Sequence, residues 1–554
     1  MVVRSLIPLQ KKGLIIAFVL VLLSKPDYLN GQGTNYQYYY RVYFTDKGEN
    51  IISNFTPLEL LSERAVKRRE KAGIPVPDIR DIPVSETYID LIASFGFRLH
   101  CTSKWMNSAL FRTETLSDLN SLTSLPFVLD VKIVKSPSTK SHFKDKLDFT
   151  YEISDPSGYD RPLSMVNGFP LHHSGYTGKG ILIAILDGGF LYSDKASSLT
   201  SLRSRKGIKG TYDFVSNNKL VYDYHYHGTS VLSVLSGNIP GVIEGTAPGA
   251  DFLLLRTEDS GSEFPVEEDF WVAGAEYADS AGADIISSSL GYSTFDDPSL
   301  GYKYSDMDGN TTFITRAADI AASRGILVFT SAGNERNKEW IHIIAPSDGD
   351  SVIAIGAVDG NNMTSAFSSS GPSADGRIKP DNVAMGVNIP VQISQDIIAR
   401  SSGTSFSCPV VSGITACLMQ AVPKAINSEI IKVLHSAADR FGKPDSLYGY
   451  GIPDMVLALS KLQDTYVAKP DTESVISPNP STGDIEITFR HTPEKLTVEI
   501  FSGNGRLIFK NVFPEYTGRS IRIDQLQNRD QGLYIVRLIT GNGTFVHKVI
   551  KINN

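Results

Sequence analysis

Between about residues 156 and 462 the chain carries short runs that are apolar without interruption: 181–186 (ILIAIL), 252–255 (FLLL), 285–286 (II), 327–329 (LVF) and 352–355 (VIAI). A strand with one wet face alternates apolar and polar residues, so a continuous run implies a strand covered on both sides. Stretches with helical character, such as 266–281 and 315–324, lie between several of these runs. Strands alternating with helices predict an α/β unit, a mostly parallel sheet with helices on both faces.

The chain has 554 residues, too many for one compact core. Arg4, Lys11 and Lys12 precede an apolar run at 13–23, which is shorter than the roughly 20 residues that span a bilayer. Residues 1–33 are therefore expected to be a signal peptide, with a retained anchor as the alternative. No later segment is long and apolar enough to span, so no permanent membrane span is expected. Residues 34–150 read as a small α+β unit with strands at 38–44 and 127–134 and helices within 58–71 and at 87–95. In 67–71 (KRREK) a solvated helix face is expected rather than a processing site; cleavage is expected nearer 138–158. Residues 463–473 form a polar linker. Residues 474–554 show alternating runs at 485–489, 496–501 and 533–538, separated by Gly/Asn turns, which predicts an antiparallel β-sandwich. A net charge of −7 and a pI of about 5.9 argue against a nucleic-acid partner.

Four positions in the α/β unit suit acyl-transfer chemistry, which needs a nucleophile, a base, a group that orients the base, and oxyanion donors. Asp187 ends the run at 181–186 and precedes Gly188 and Gly189. His227 opens the amphipathic stretch HGTSVLSVLSG, where Gly228 is expected to leave room for substrate beside the imidazole. Asn334 closes SAGN after the run at 327–329. Ser405 lies in GTSFSCP ahead of a small-residue, apolar helix; Pro409 is expected in that helix's first turn, which puts Ser405 at its N-terminus. Taken singly, each is a turn residue, a cap or a surface histidine. Their order, Asp–His–Ser, is one of the known orders for a catalytic triad.

Taken together, these stretches resemble the subtilisin (subtilase) family of serine proteases. ILIAILDGGF resembles its Asp motif, HGTSVLSVLSG its His motif and GTSFSCP its Ser motif. SSSLG (287–291) resembles its substrate-binding segment and SAGN its oxyanion asparagine. The resemblance implies a serine-type endopeptidase with catalytic Asp187, His227 and Ser405, Asn334 at the oxyanion, and Ser289, Leu290 and Gly291 along the substrate backbone. The region near Ile344, Ala345 and Pro346 is expected to shape the pocket for the side chain before the scissile bond. No metal or organic cofactor is required; calcium is frequent in subtilases as a structural ion, and no ligand-spaced motif here assigns one. The sequence departs from the family pattern at Gly188, Phe406 and Cys408. Cys408 lies nearly one helical turn beyond Ser405 and is expected to be a bystander. Cys408 and Cys417, about 13 Å apart on one helix, are too far separated for a disulfide, which needs about 7 Å, so free thiols are expected.

Residues 34–150 resemble the removable prodomain of bacterial subtilases. Residues 474–554 resemble the type A sorting domain of the Bacteroidetes type IX secretion system, on PNPSTG (478–483), GLYIV (532–536) and KVIK (548–551). The implied route runs through the periplasm and outer membrane to a secreted or cell-surface location. The implied partners are protein or peptide substrates, the protein's own prodomain and the type IX machinery. The alternatives are a non-catalytic surface adhesin on a subtilase scaffold, an esterase-like hydrolase with the same triad, and, for the tail alone, a carbohydrate-binding or adhesion sandwich.

Overall fold

The computed structural model describes residues 38–137, 146–147, 149–152, 161–466, 474–541 and 543–553. The expected signal segment lies outside them, as do most of the linker and most of the stretch at 138–158 where cleavage is expected. The N-terminal region is an antiparallel sheet of β1 (Tyr38–Phe44), β2 (Arg98–Ser103), β3 (Ser108–Thr113) and β4 (Val128–Lys135) in the order β2-β3-β1-β4. Two nine-residue helices accompany it, α1 (Glu63–Lys71) and α2 (Glu86–Ser94), beside shorter helical turns. The helix-favouring stretch at 58–71 is interrupted because Ser62 leaves the helical conformation and caps α1, its Oγ accepting the Ala65 N–H at 3.2 Å.

The central sheet is parallel throughout. It comprises β5 (Leu182–Asp187), β6 (Ile208–Asp213), β7 (Asp251–Arg256), β8 (Ile285–Ser288), β9 (Leu327–Ser331), β10 (Val352–Val358) and β11 (Asn382–Met385), ordered β11-β10-β9-β8-β5-β7-β6. The uninterrupted apolar runs follow from its two covers. Ile183 and Ile185 of β5 pack into one core with α3 (His227–Ser236) and α6 (Thr404–Ala421). Leu182, Ala184 and Leu186 pack into the opposite core with α4 (Val266–Ala281) and α5 (Phe313–Ser323). Each buried leucine or isoleucine contributes about 1.5–3 kcal/mol by leaving water.

The N-terminal region docks on α4. Arg41 donates to Asp269 at 2.8 and 2.6 Å and to the Pro265 carbonyl at 3.0 Å. Glu276 accepts the backbone N–H groups of Lys104 and Trp105 and the Ser103 hydroxyl. The expected solvated face at 67–71 holds for Lys67, Glu70 and Lys71, which are exposed, and is corrected at Arg68 and Arg69, which are buried. Arg68 pairs with Asp279, while Arg69 bridges Asp279 at 2.5 Å and Asp81 at 2.7 Å. Two adjacent guanidiniums can be buried because carboxylates from α4 and from Asp81 neutralise them.

The tail, 474–553, forms two antiparallel sheets around one core. Ser474–Ser477, Ile485–Phe489 and Ser520–Ile523 make the first, and Leu496–Ser502, Leu507–Phe513, Gly532–Thr540 and Gly543–Lys551 the second. Two of the motifs that carry its resemblance meet in space. The Asn479 side chain donates to the Lys548 carbonyl at 2.7 Å and accepts from Ile550 N at 2.9 Å, and Ser481 N donates to the Ile550 carbonyl at 2.8 Å.

Candidate active site

The carboxyl ends of β5, β8 and β9 converge with the N-termini of α3 and α6, the usual place for a site in an open parallel sheet. Asp187, the last residue of β5, is fully buried. Its Oδ1 accepts the Gly188 N–H at 2.7 Å, and His227 Nδ1 lies 2.8 and 3.0 Å from its two carboxylate oxygens. That contact sets the tautomer: Nδ1 carries the proton donated to Asp187, and Nε2 is left as the basic nitrogen. His227 is the first residue of α3, and its backbone N–H donates to His225 Nδ1 at 3.1 Å. The expectation for Gly228 is corrected. A side chain there would meet the Gly189 carbonyl at 2.5 Å and the Phe190 ring at 2.8 Å, so the glycine lets α3 close against the loop after β5 rather than making room for substrate.

Ser405 is the second residue of α6, where backbone N–H groups lack helical partners. Pro409 lies inside the helix, not in its first turn as the sequence suggests. Proline has no N–H to give to the carbonyl four residues back, which is that of Ser405. The Ser289 hydroxyl takes the vacant place, donating to Ser405 O at 2.9 Å. Ser405 Oγ itself lies 3.5 Å from the Ser289 carbonyl, a long contact. Asn334 is oriented by Thr404, whose N–H and hydroxyl both donate to Asn334 Oδ1 at 3.0 Å. The amide Nδ2 is thereby left for other acceptors.

His227, Ser289, Leu290, Gly291, Asn334 and Ser405 all line one cleft of about 550 Å³, with Asp187 behind the histidine. Ile344 also lines it. A side chain at Gly291 would come within 2.7 Å of Ile344, so the glycine is needed for that close approach. Cys408 is fully buried, and burial pushes its thiol up to about 12. At neutral pH it is a thiol packed near the Ser288 carbonyl. Cys101, Cys408 and Cys417 are all free.

Across the described chain, a model of the subtilase family matches residues 178–451. A Bacteroidota peptidase S8 propeptide domain matches residues 39–157, and a secretion-system C-terminal sorting domain matches 475–553. Subtilisin E of Bacillus subtilis (strain 168) is 29% identical over 333 residues, covering 58% of this chain and 77% of the relative. The serine protease AprX of the same strain is 30% identical over 305 residues, 50% of this chain and 65% of the relative. Subtilisin DY of Bacillus licheniformis is 30% identical over 295 residues, 52% of this chain and 93% of the relative. The chain belongs to the subtilase family. This subtilase is a serine protease with a propeptide domain and a type IX sorting tail, which directs it to the cell surface or beyond. Among the described residues no helix is long and apolar enough to cross a membrane.

Several cleft residues of this subtilase carry no sequence signal of their own. Glu258, Ser260, Glu263, Lys146, Leu147 and Phe149 line the cleft, and Glu267 adjoins it. The weak pointer was the run EDSGSE (258–263), acids flanking a flexible Ser/Gly turn just after β7. Gly188, one of the departures from the family pattern, acquires a reason here. A side chain at that position would meet Leu147 Cδ1 at 2.0 Å.

Proposed function

We propose that the chain is a secreted serine endopeptidase that hydrolyses peptide bonds in proteins through Asp187, His227 and Ser405. Ser405 Oγ attacks the scissile carbonyl as His227 Nε2 takes its proton, and Asp187 holds the ring and stabilises the imidazolium. The Asn334 amide and the Ser405 backbone N–H receive the oxyanion. The amine leaves with the proton from His227, and water then hydrolyses the acyl-enzyme. Residues 289–291 pair with an extended substrate strand. No metal or organic cofactor enters these steps. The chain is made as a precursor whose N-terminal domain, within 34–150, is removed.

The observation that carries the reading is the buried Asp187 carboxylate within 2.8 Å of His227 Nδ1, with His227, Asn334 and Ser405 facing one cleft. An adhesin on the same scaffold would have no use for this complete set. The test is labelling of the processed protein with a fluorophosphonate probe alongside casein turnover. Both are expected in the wild type and absent in Ser405→Ala; wild type that neither labels nor cleaves sinks the reading. Turnover of short acyl esters without casein would favour an esterase. Asp187→Asn is expected to lower kcat by about 10⁴ and Asn334→Ala by about 10²–10³, magnitudes already known for the equivalent groups in serine proteases, the latter in subtilisin itself.

A further inference from the structure

The cleft holds a segment of the chain's own N-terminal side. Lys146 N donates to the Ser260 carbonyl at 3.3 Å. Leu147 packs against Gly188, and the Phe149 ring lies edge-on to His227 and Phe406 at centroid distances of 5.8 and 5.1 Å. Beyond them the Thr150 carbonyl accepts from Ser401 Oγ at 2.9 Å, and Tyr151 pairs antiparallel with Ser401. Lys146 therefore lies on one side of the catalytic groups and Tyr151 on the other.

The Lys146 ammonium sits among three carboxylates, 2.5 Å from Glu258, 2.7 Å from Glu263 and 2.7 Å from Glu267. The enzyme fixes two of these acids without help from the lysine. Glu267 accepts the backbone N–H groups of Asp259 at 2.8 Å and Phe264 at 3.1 Å. Glu258 accepts the Tyr292 hydroxyl at 2.5 Å. Glu258 and Glu267 are buried. Burial pushes Glu263 up to about 7 and Glu267 upward, with the neighbouring Glu258 adding to both shifts. Three acids this close lack positive charge, and removing the cation from among them leaves them either uncompensated or forced to take up protons.

We propose that Glu258, Glu263 and Glu267 form a subsite that selects a lysine or arginine side chain on the substrate, up to four residues before the bond cut, and that Lys146 is its first occupant. The inference rests on the protease reading and adds a substrate class to it: segments carrying a basic residue shortly before the cleavage point. An ammonium or guanidinium supplies several donors to the three carboxylates, whereas a neutral side chain leaves them unpaired. Sites of this kind discriminate strongly against the analogue that lacks the matching group.

The experiment compares processed enzyme, its active serine counted with the fluorophosphonate probe, on matched peptides carrying Lys, Arg, Ala or Glu at each of the four positions before the cut. At one position Lys and Arg are expected to raise kcat/KM about tenfold or more over Ala, and in Glu258→Gln/Glu267→Gln that ratio is expected to fall to within about twofold of one. A ratio near one in the wild type, or one unchanged in the variant, overturns the proposal. So does a preference that appears only with added calcium and disappears with chelator, which would make the three acids a metal site. Should the double variant fail to fold, Lys146→Met in the full-length precursor leaves the catalytic domain untouched. Its self-processing is expected to slow about tenfold, and processing at the wild-type rate overturns the proposal. Protein that labels and cleaves without basic preference defeats the subsite alone; protein that does not label defeats the protease reading.

Discussion

The two regions flanking the catalytic domain manage their charges in opposite ways. The N-terminal region buries Arg41, Arg68 and Arg69 against Asp269 and Asp279 of α4, across an interface. The tail pairs its charges within its own sheets: Glu499 with Lys510 at 2.9 Å and with Arg537, and Asp484 with Arg522. A propeptide domain docked through buried charges gains specificity for its partner, because docking elsewhere leaves most of them buried and unpaired. A sorting region read by other machinery has no such need, and its hydrophobic core closes on itself. The same α4 end of the molecule also contributes Glu267 to the cleft, so both contacts made by the N-terminal side are charge-matched.

The largest expected effect comes from removing one member of the buried network. Arg69→Ala leaves Asp81 and Asp279 without their shared partner, and the precursor is expected to lose about 3–5 kcal/mol in denaturant unfolding. A loss below about 1 kcal/mol would put this interface on the same footing as a surface pair. Next comes Ile487→Ala in the tail core, where the side chain is fully buried. It is expected to destabilise the tail by about 2–5 kcal/mol while leaving casein turnover per labelled serine unchanged. Calorimetry of the full chain should move one transition and spare the other; a common shift would break the contrast.

A smaller contrast concerns pH. With the Lys146 ammonium beside it, Glu263 stands at about 7, so with a cation in the subsite it is protonated below that value and charged above it. It shares its surroundings with Glu258, Glu267, Lys146 and Asp296, and Tyr292 bonds Glu258. The preference for basic side chains is therefore expected to rise between pH 6 and pH 8 and to fade as pH drops through about 7. In the tail, hydrogen bonds from Lys510 and Arg537 hold Glu499 below the usual carboxylate range, so Glu499 stays charged across the same interval, while burial lowers His547, and the tail is expected to melt at a lower temperature only as pH falls below about 6.5. The smallest effect is expected for Arg522→Ala, where an exposed guanidinium meets Asp484 at the surface. Its melting temperature should match wild type, and a clear drop would show that the tail also depends on charge pairing.

Much of this was legible before any coordinates. The apolar runs marked the strands because burial on both faces removes alternation, and residues 266–281 read as a helix over the span that α4 occupies. Asp187, His227, Asn334 and Ser405 stand out in the sequence because each lies where a strand ends or a helix begins, and because their order and surrounding motifs resemble the subtilase pattern. What stayed hidden depends on partners distant in the chain. Arg68 and Arg69 look like any charged helix face until Asp279, some 210 residues on, is placed beside them. The role of Gly228 turned on the Gly189 carbonyl, and the acidic subsite joins three glutamates with no motif spacing to a lysine more than 110 residues earlier. Pro409 was misplaced for a related reason. Sequence rules bar proline from a helix interior unless something else occupies the orphaned carbonyl, and that something is the hydroxyl of Ser289, just past the end of β8.

That hydroxyl has a mechanical consequence. The ladder of α6 has a missing rung at the residue that carries the proposed nucleophile, and Ser289, the residue after β8, supplies the rung. Helix and sheet are thus pinned to each other at the point where the attacking oxygen and the incoming backbone have to meet. A slide or tilt of one layer against the other would have to stretch this hydrogen bond. The attack distance is then set by one short link instead of by the sum of two independent packings.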